Sequence, residues 1–584
     1  MDPIKVDFSG KGRAKELYIP PEKAWLKTAI SAILSVVVAV VAFYIMLPPI
    51  NFKAFEFYYY VAIILLSYIV FTFILSKAFA RPEYIPYVKR RSIVPIAIGL
   101  IFALIFGVGY LTSALVFRAK TYSKIIEVTE SKFGDESSIA NIKGVSDFEK
   151  IPMIDSDVAT NLGNKKLGDL AEYVSQFVID HPYSTQINYR GTPTRILPLK
   201  YGDFFKWFNN RADGIPAYIT VNMYTQKANA VEIPGGIKYS ASEFFGRKLD
   251  RVLRFSYPTY MFGMPSLEID EDGNPWWVCE RVSKTIGLLG GEDVIGLVLV
   301  DARTGETEEY TIEEARAENS KIKWVDQVYS ADLLTRQYNY YGKFGNGFIN
   351  SYIGQTGVRI TTQGFSYLTN NDDVWMYTGV TSITDDDSII GFVLINQRTK
   401  EAVFQKISGS TELGAQFSAE GIVRDKAWKA TFPLLLNING EATYFMALKD
   451  NDVVKSYAMV SVERVQDAAR SPNDDYPDLV SCLKSYEGLV KASGVNLKFN
   501  YEGKISDTDD PLYDTITGVV EDIRTAVIGG NSMYYIKLKD SNSYYFIPAS
   551  QSDDVIILNK GDKVSVVFTK TEDRIIAAQD ITLK

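Results

Sequence analysis

The chain has 584 residues, of which 47% are hydrophobic and 23% charged, a composition typical of a folded protein with several domains. It contains one histidine, His181, and two cysteines, which excludes a four-ligand structural zinc site and leaves a single imidazole for any histidine-dependent nucleophile. The first 120 residues hold 9 Lys and 5 Arg against 6 Asp and Glu, whereas the remainder is acidic, so nucleic acid is not expected as a partner of the soluble part.

Three apolar stretches near the N-terminus predict a membrane anchor. They cover 28–47, 57–76 and 93–117, and none contains an ionisable residue. Each is long enough to cross about 30 Å of hydrocarbon as a helix. The stretches are consecutive and have no amphipathic face, which favours membrane helices over buried core helices, and a cleaved signal peptide is disfavoured because two more stretches follow the first. A three-helix anchor is therefore predicted over 28–118, after a basic segment, 1–27.

The distribution of basic residues predicts the orientation of this anchor in the plasma membrane. Only Lys53 lies between the first and second stretches. The other two flanking segments carry Lys5, Lys11, Arg13, Lys15, Lys23 and Lys27, and Lys77, Arg81, Lys89, Arg90 and Arg91. Because basic segments stay in the cytoplasm, we expect a cytoplasmic N-terminus and an extracytoplasmic region after about residue 118.

The spans themselves favour an anchor over a transport pathway. Transporters and proton relays place ionisable groups within the bilayer, and these stretches have none. Gly99, Ala103 and Gly107 form a stripe of small residues at four-residue spacing that would allow close approach of another helix in a homo-oligomer. Ordinary glycine tolerance in a membrane helix explains the stripe equally well.

An internal repeat predicts β-hairpins in the region 119–470. Segments 217–233, 296–312 and 391–407 align without gaps, and each has an apolar strand, a turn and a return strand. Asn222, Asp301 and Asn396 stand at the turn entry, where a side-chain oxygen can cap the turn, and Thr follows three residues later. Trp276 and Trp375 occupy like positions upstream of the second and third copies. We therefore expect tandem α+β units, each with an antiparallel sheet.

The segment GLVLVDARTGETEEY (296–310) resembles the hairpin of PepSY-type domains. That resemblance implies a bacterial exported or membrane-bound protein with an inhibitory or interaction role. The other copies depart from it, because Gln226 and Lys400 replace the turn glycine, Gly305. A generic β-hairpin would share most of the motif.

After residue 470 the composition predicts a linker with a short helix over 471–510, and then a small barrel over 511–584. Polar, proline-containing breaks at 471–478 and 506–511 flank the helical segment 479–492. The strand pattern of the barrel resembles an OB-fold, with an SH3-like module as the alternative. Tyr534 and Tyr544, together with Trp276 and Trp375, are the residues predicted to form an interaction surface.

The remaining motifs favour structural roles. The glycine-rich segment 340–357 lacks the spacing of a phosphate loop, and the acidic clusters at 270–272, 372–373 and 385–387 are typical of solvated turns. His181 precedes Pro182 and is expected in a surface turn. Cys279 and Cys482 could form one bridge, but two buried thiols are favoured. No catalytic residue, cofactor or metal ligand is predicted.

The predicted fold class is an α-helical membrane anchor with three transmembrane helices, followed by α+β, β-rich tandem repeat units and a small C-terminal β-barrel. The leading functional hypothesis is a non-enzymatic binding or scaffold protein of the bacterial cell envelope, with envelope proteins or cell-wall glycan as partners. A carboxylate-dependent glycan hydrolase using Asp372 and Asp373 is the alternative, since paired carboxylates can cleave glycosidic bonds. An envelope sensor is disfavoured because only short basic segments are expected to face the cytoplasm.

Overall fold

The protein is described by a computed structural model with two compact bodies. The larger body holds the membrane helices and most of the β-structure up to Phe499, and the smaller is built mainly from residues 500–584. The described residues are 18–134, 141–143, 145–170, 173–370, 372–383, 388–472, 477–497, 513–528, 531–539, 541–549, 554–569 and 574–584. The acidic cluster at 385–387 and the break at 506–511 lie outside them, as do residues 473–476 of the break at 471–478.

Three long apolar helices confirm the predicted membrane anchor. The helices are α1 (Ala24–Met46), α2 (Phe55–Ser76) and α3 (Ile85–Ser113), followed by the short α4 (Leu115–Tyr122). Only 11 to 17% of each apolar window is buried within the protein, so most of these side chains are left for lipid. The third apolar stretch was expected to run to residue 117 as one helix, but α3 ends at Ser113 because Ala114 has an extended backbone.

The β-rich part of the larger body consists of four antiparallel sheets of the same plan, here called meanders 1 to 4. Two short strands, β1 (Val128–Lys132) and β2 (Asn141–Ile142), precede them. Meander 1 contains α5 (Ser156–Asp169), β3 (Phe177–Ile179), β4 (Thr185–Tyr189), β5 (Thr192–Leu197), β6 (Leu199–Tyr201), α6 (Phe204–Asn210), β7 (Ile215–Asn222) and β8 (Ala228–Ile237). Meander 2 contains α7 (Leu249–Ser256), β9 (Met261–Phe262), β10 (Ser266–Ile269), β11 (Pro275–Ile286), β12 (Gly290–Asp301) and β13 (Thr307–Thr311).

The other two meanders continue the same plan. A helix and a short first strand are followed by four central strands. After α8 (Ile312–Arg316), meander 3 contains α9 (Ala331–Phe344), β14 (Arg359–Thr361), β15 (Ser366–Asn370), β16 (Asp373–Ser382), β17 (Ser388–Asn396) and β18 (Ala402–Ser410). Meander 4 contains α10 (Glu412–Gly421), β19 (Lys429–Ala430), β20 (Leu434–Ile438), β21 (Glu441–Asp450), β22 (Val453–Ser461) and β23 (Ala468–Arg470), followed by α11 (Leu479–Ala492). The central strand orders are β4-β5-β7-β8, β10-β11-β12-β13, β15-β16-β17-β18 and β20-β21-β22-β23. Strands β1 and β2 add in parallel to β18 and β20.

The three repeated turns have the same geometry, which confirms the repeat. Asn222, Asp301 and Asn396 each accept hydrogen bonds from the backbone N–H groups two and three residues later. The fourth residue after each of them has a positive φ, 61° at Gln226, 77° at Gly305 and 65° at Lys400. Glycine, as at Gly305, adopts this backbone conformation without strain. In the other two copies the side chains of Gln226 and Lys400 make the same conformation less favourable.

Meander 4 is a fourth copy that the turn motif did not reveal. The residues opposite Asn222, Asp301 and Asn396 on the neighbouring strand are Thr194, Trp276 and Trp375, and Thr443 faces Ser461 in the same way. All four sheets also share one hydrogen bond beside this facing pair. The residue after the turn-entry position donates its N–H to the carbonyl of the residue that precedes the facing residue on the neighbouring strand. Ser461 replaces the Asn or Asp, and its turn is one residue longer, closing with Ser461 N–H to Asp467 O.

Meanders 2 and 3 share one hydrophobic core. Val278 and Leu297 from meander 2 pack in one cluster with Met376 and Val393 from meander 3 and with Leu334 of α9. Each such side chain contributes about 1.5 to 3 kcal/mol when it is removed from water. Meanders 2 and 3 are therefore not independent folding units, because their two sheets bury side chains in one common core.

The short helix predicted over 479–492 is present as α11, and it packs against meander 4. Its apolar stripe, which includes Leu483, Tyr486 and Val490, is buried, and the Tyr486 hydroxyl lies 3.0 Å from Thr443 Oγ1 on β21. Asp478 caps its first turn by accepting from Val480 and Ser481. The helix is thus part of the larger body. The segment looked like a linker because polar residues and prolines flank it.

The second meander holds the membrane helices at the end where α1 meets α2. Ile50 donates its N–H to Pro258 O at 2.8 Å, and Asn51 Nδ2 donates to Thr259 O at 2.9 Å. Arg254 Nε donates to Leu47 O at 2.9 Å. At the end of α3, Ser113 Oγ accepts from Leu289 N–H at 2.9 Å. The α1–α2 connection, the C-terminal end of α3 and the meanders therefore lie on one side of the membrane.

The smaller body is a closed five-stranded barrel. Its elements are β24 (Tyr513–Ile528), β25 (Asn531–Leu538), β26 (Tyr544–Pro548), α12 (Asp554–Ile557), β27 (Lys563–Thr569) and β28 (Ile575–Leu583). The strands pair in the order β24-β25-β26-β28-β27, and β27 returns to β24. The pair β26–β28 is parallel. Ile536, Ile547, Val564 and Val566 fill the interior.

Candidate functional site

The two tryptophans predicted to lie on an interaction surface occupy equivalent positions but do not form a surface. Trp375 is only 6% exposed, and its indole N–H has no hydrogen-bond partner among the described residues. Trp276 is half-buried, packs against Trp324 with ring centroids 6.3 Å apart, and donates its N–H to Asp270 Oδ2 at 3.2 Å. Neither ring is therefore free, since Trp375 is buried and Trp276 packs on Trp324.

The two barrel tyrosines predicted to belong to an interaction surface lie in different environments. Tyr544 is half-buried, its hydroxyl donates to Asp522 at 3.2 Å, and Arg524 lies over its ring. Tyr534 packs against the barrel core, since it shares a face of β25 with Ile536 and Leu538. The outer face carries Tyr535, which pairs across the strands with Phe546 and stacks on it at 5.7 Å.

The acidic pair Asp372 and Asp373 is not a free pair of carboxylates. Asp373 is buried and accepts from Arg398 Nε at 2.5 Å, from Arg398 Nη2 at 3.0 Å and from Asn396 Nδ2 at 2.7 Å. Asp372 is exposed and lies 3.7 Å from the Lys323 ammonium. Asp373 is thus held by a two-pronged guanidinium contact, whereas the hydrolase hypothesis needs both carboxylates free to act as acid and nucleophile.

The other predicted structural residues lie as expected. Asp270 accepts from the backbone N–H groups of Asp272 and Asn274, so the first acidic cluster is a capped turn. Cys279 and Cys482 are buried free thiols. His181 is exposed in a 3₁₀ turn, as predicted.

The small-residue stripe of α3 is divided between two environments. A Cβ on Gly99 would lie 3.6 Å from Leu65 of α2, so this glycine serves packing within the chain. Ala103 is exposed, and a Cβ on Gly107 would meet no atom within 4 Å. Within this stripe, only Ala103 and Gly107 are therefore open to another helix.

A cavity of about 510 Å³ lies among meanders 1, 3 and 4. Its walls are mostly apolar and aromatic, with Met223 from meander 1, Phe365 and Tyr367 from meander 3, and Phe432 and Phe445 from meander 4. A volume of this size lies within the range of small-molecule sites, which are typically apolar with a few fixed polar groups. Sequence reasoning missed it because its walls come from three separate copies of the repeat.

The cation that lines this cavity is Arg195 on β5. Its side chain is 9% exposed, and Nη2 donates to Ser184 Oγ at 2.8 Å. Nε has no hydrogen-bond partner, and no ion pair to Arg195 is present among the described residues. Burial lowers the pKa of this guanidinium, and the carboxylates of Asp155 and Asp157 oppose that shift only in part. A buried arginine with a free donor is costly unless something occupies the cavity.

Gln186 stands beside Arg195 on the same face of the sheet. The two residues are direct partners across the β4–β5 ladder, where side chains lie about 5 Å apart. Gln186 is 7% exposed, lines the same cavity, and its Nε2 also lacks a partner. The pair therefore offers two buried, unused N–H donors and one positive charge. The single Arg within the apolar strand sequence TPTRIL (192–197) was the available sequence signal.

At the edge of the cavity, Ser156 Oγ lies 3.3 Å from His181 Nε2. A nucleophilic triad would also need a carboxylate on the other ring nitrogen. Asp180, the neighbouring residue, instead binds Lys200 at 3.1 Å, and no described carboxylate is hydrogen-bonded to the ring. The geometry at this edge is that of a polar rim.

No known protein family matches the chain. The chain also has no match among curated proteins.

Proposed function

We propose that this protein is a membrane-anchored, extracytoplasmic binding or scaffold protein of the bacterial cell envelope, which acts through cell-wall glycan or other envelope proteins. The observation that carries the proposal is the contact between meander 2 and the α1–α2 connection, through Ile50, Asn51 and Leu47. It joins the soluble region to the poorly charged end of the helix bundle. The basic connection between α2 and α3, with Lys77 and Arg81, lies at the opposite end of the helices.

The charge distribution supports an outward orientation of the meanders. Basic connections are retained in the cytoplasm, so the α2–α3 connection is assigned to the inside. The α1–α2 connection contains only one basic residue, Lys53, and its ammonium is engaged by Lys284 O at 2.6 Å. The acidic bulk of the chain then faces away from the cytoplasm.

The repeated architecture supports a binding role. A helix followed by a four-stranded meander, present four times, favours tandem PepSY-like units, a family associated with interaction and inhibition. The strand order of the barrel, with the parallel β26–β28 pair, favours an OB-fold. On such barrels the second and third strands form a ligand face, and that face carries the stacked Tyr535 and Phe546. Stacked aromatic rings can hold sugar rings as well as bases.

The orientation is tested by labelling engineered cysteines with a membrane-impermeant maleimide in intact cells. Cys279 and Cys482 are buried, so the label reports the engineered position. We expect Glu313→Cys, at an exposed site after meander 2, to react in intact cells. Phe79→Cys, between α2 and α3 and 66% exposed, should react only after permeabilisation. The reverse pattern would overturn the proposed orientation.

Glycan binding is tested by co-sedimentation of the full-length, detergent-solubilised protein with purified cell-wall sacculi. We expect the double variant Tyr535→Ala/Phe546→Ala to lose at least fivefold in affinity. Val527→Ala, at a barrel site that is 75% exposed, should bind like the parent. Failure of the parent protein to sediment would remove glycan as the partner and leave an envelope protein.

A further inference from the structure

We propose that the cavity among meanders 1, 3 and 4 binds an amphipathic organic carboxylate, with the carboxylate on Arg195 and Gln186 and the apolar body between Met223, Phe365 and Phe432. This site is distinct from the barrel face and does not depend on the orientation of the membrane anchor. Its ligand class follows from three features of the cavity, which are its charge, its free donors and its walls.

The charge and the donors indicate one small anionic group. Arg195 is a buried cation whose Nε–H has no acceptor, and the Nε2 of its cross-strand neighbour Gln186 is free as well. Two donors on adjacent strands match the two oxygens of a carboxylate. Nη2 already donates to Ser184, so the guanidinium does not offer a complete pair of parallel N–H groups to a ligand. Its free donor is Nε–H. A monoanion satisfies it better than a doubly charged phosphate.

The walls indicate an apolar body. Phe365, Tyr367, Phe432 and Phe445 line the cavity together with Met223. The rings of Phe365 and Tyr367 are 5.7 Å apart in an edge arrangement, which leaves flat surfaces for a chain or a ring. The volume of about 510 Å³ accommodates an acyl chain of about a dozen carbons. Asp155 and Asp332 also line the cavity, so a ligand with a second anionic group is disfavoured.

The experiment measures binding to the full-length protein in lipid nanodiscs by titration calorimetry, with three probes that share a twelve-carbon chain. We expect dodecanoate to bind with a micromolar Kd, dodecyl phosphate at least tenfold more weakly, and 1-dodecanol without measurable affinity. Equal binding of dodecanoate and 1-dodecanol would overturn the role of Arg195, and tighter binding of dodecyl phosphate would overturn the choice of carboxylate. Absence of dodecanoate binding would overturn the proposal.

The Arg195→Met variant tests the same site, and its melting temperature reports separately whether it folds. Methionine fills the space of the arginine stem without burying a charge, and such replacements often stabilise a protein. We therefore expect Arg195→Met to raise the melting temperature and to lose dodecanoate affinity by at least twentyfold. Arg190→Met, at an exposed position in the adjacent β4–β5 turn, should change neither. A variant with a lower melting temperature and unchanged dodecanoate affinity would show that Arg195 serves the fold alone.

A second, independent observation concerns exposed aromatic residues beside the membrane helices. Phe204, Phe205, Phe208, Phe244 and Phe245 form a patch on meander 1 in which each ring is 38 to 76% exposed. Arg251 ties this patch to the end of α1, because its Nη1 donates to Phe245 O at 3.1 Å and its guanidinium lies 4.3 Å from the ring of Tyr44. The patch is therefore within one side chain of the membrane surface.

A second apolar patch lies just after α9, which packs beside the C-terminal end of the membrane helices. Ile349, Tyr352 and Ile353 are 72, 59 and 82% exposed on the π-helical turn after α9. Helix α9 packs on α4 through Tyr340 and Tyr122, whose rings are 4.9 Å apart, and α4 directly follows α3. Both patches thus adjoin membrane helices on the side of the meanders.

We infer that both patches insert into the interfacial layer of the bilayer and seat the meanders on its surface. Aromatic and apolar side chains flanked by basic residues, here Arg211 and Arg247, favour that layer. The test places a fluorophore on Phe205→Cys or Ile353→Cys in nanodiscs that contain dibrominated phosphatidylcholine. We expect at least twofold stronger quenching at these sites than at Phe417→Cys, which is 64% exposed on α10 of meander 4. Quenching no stronger than at Phe417 would overturn the inference.

Discussion

Glu280 is a buried carboxylate on β11 whose ionisation opposes folding. It is 3% exposed, its Oε2 accepts from Ser330 Oγ at 3.4 Å, and its Oε1 has no hydrogen-bond partner among the described residues. Burial, together with the nearby Glu292, raises the pKa of Glu280 from 4.5 to about 7, against weaker opposing effects from Ser330 and Arg336. We use it to predict how the stability of the larger body depends on pH.

The sign follows from the direction of this pKa shift. Below pH 4.5 the carboxyl is protonated in both the folded and unfolded states, and no penalty arises. Between pH 4.5 and 7 the unfolded chain ionises first, so the free energy of unfolding decreases as the pH rises. Each pKa unit corresponds to about 1.4 kcal/mol, so the full loss above pH 7 is on the order of 3 kcal/mol.

The Glu280→Gln variant removes this ionisation and keeps the shape of the side chain. At pH 8 we expect its free energy of unfolding to exceed that of the parent by about 2 kcal/mol, because an amide with incomplete hydrogen bonding costs about 1 kcal/mol of the gain. At pH 4.5 the ionisation penalty is almost absent, so the same amide cost should leave the variant less stable than the parent by up to about 1 kcal/mol. Denaturant unfolding of the full-length protein in detergent, followed by tryptophan fluorescence from pH 4.5 to 8, measures the difference.

The comparison between variant and parent isolates Glu280 from the other buried acids. Burial also raises the pKa of Glu268 and of Glu412, but both groups are present in either protein. The exposed Glu318→Gln serves as the control and should show no pH-dependent difference from the parent. If Glu280→Gln were less stable than the parent at pH 8, or if the difference did not vary with pH, the reasoning would be refuted.

Three further substitutions test the repeat. Asp373→Ala should destabilise the protein by about 3 to 5 kcal/mol, since it leaves the buried Arg398 unpaired, and chemical denaturation would show this. Asn396→Ala removes the cap of the third repeated turn and the hydrogen bond to the buried Asp373, and it should cost about 2 to 4 kcal/mol in the same assay. Gly305→Ala should cost more than 1 kcal/mol, because its φ is 77° and a Cβ would lie 2.4 Å from the ring of Tyr239. Gly488→Ala, at an open site in α11, should instead stabilise by about 0.5 to 1 kcal/mol, and a destabilising effect would contradict the assigned helix.

The membrane helices and the repeated hairpins could be predicted because their signals are local. A span needs only a run of apolar residues, and the turns at Asn222, Asp301 and Asn396 need a side-chain oxygen at one position and a tolerant backbone three to four residues later. The fourth copy was missed because Ser461 and a longer turn replace that pattern, although its strands keep the same register. The environments of the barrel aromatics could not be predicted, since alternation along β25 assigns Tyr534 to the inside only once the pairing of the strands is known.

The sequence by itself determined the apolar spans, the uneven distribution of charge and the hairpin turns, because each depends on residues that are neighbours in the chain. Only the tertiary structure decided which groups meet across the copies of the repeat. Arg195 and Gln186 lie in meander 1, but the walls that enclose them come from meanders 3 and 4, more than 150 residues later. The burial and the unsatisfied donors that define this cavity arise from packing between sheets, which no local pattern encodes.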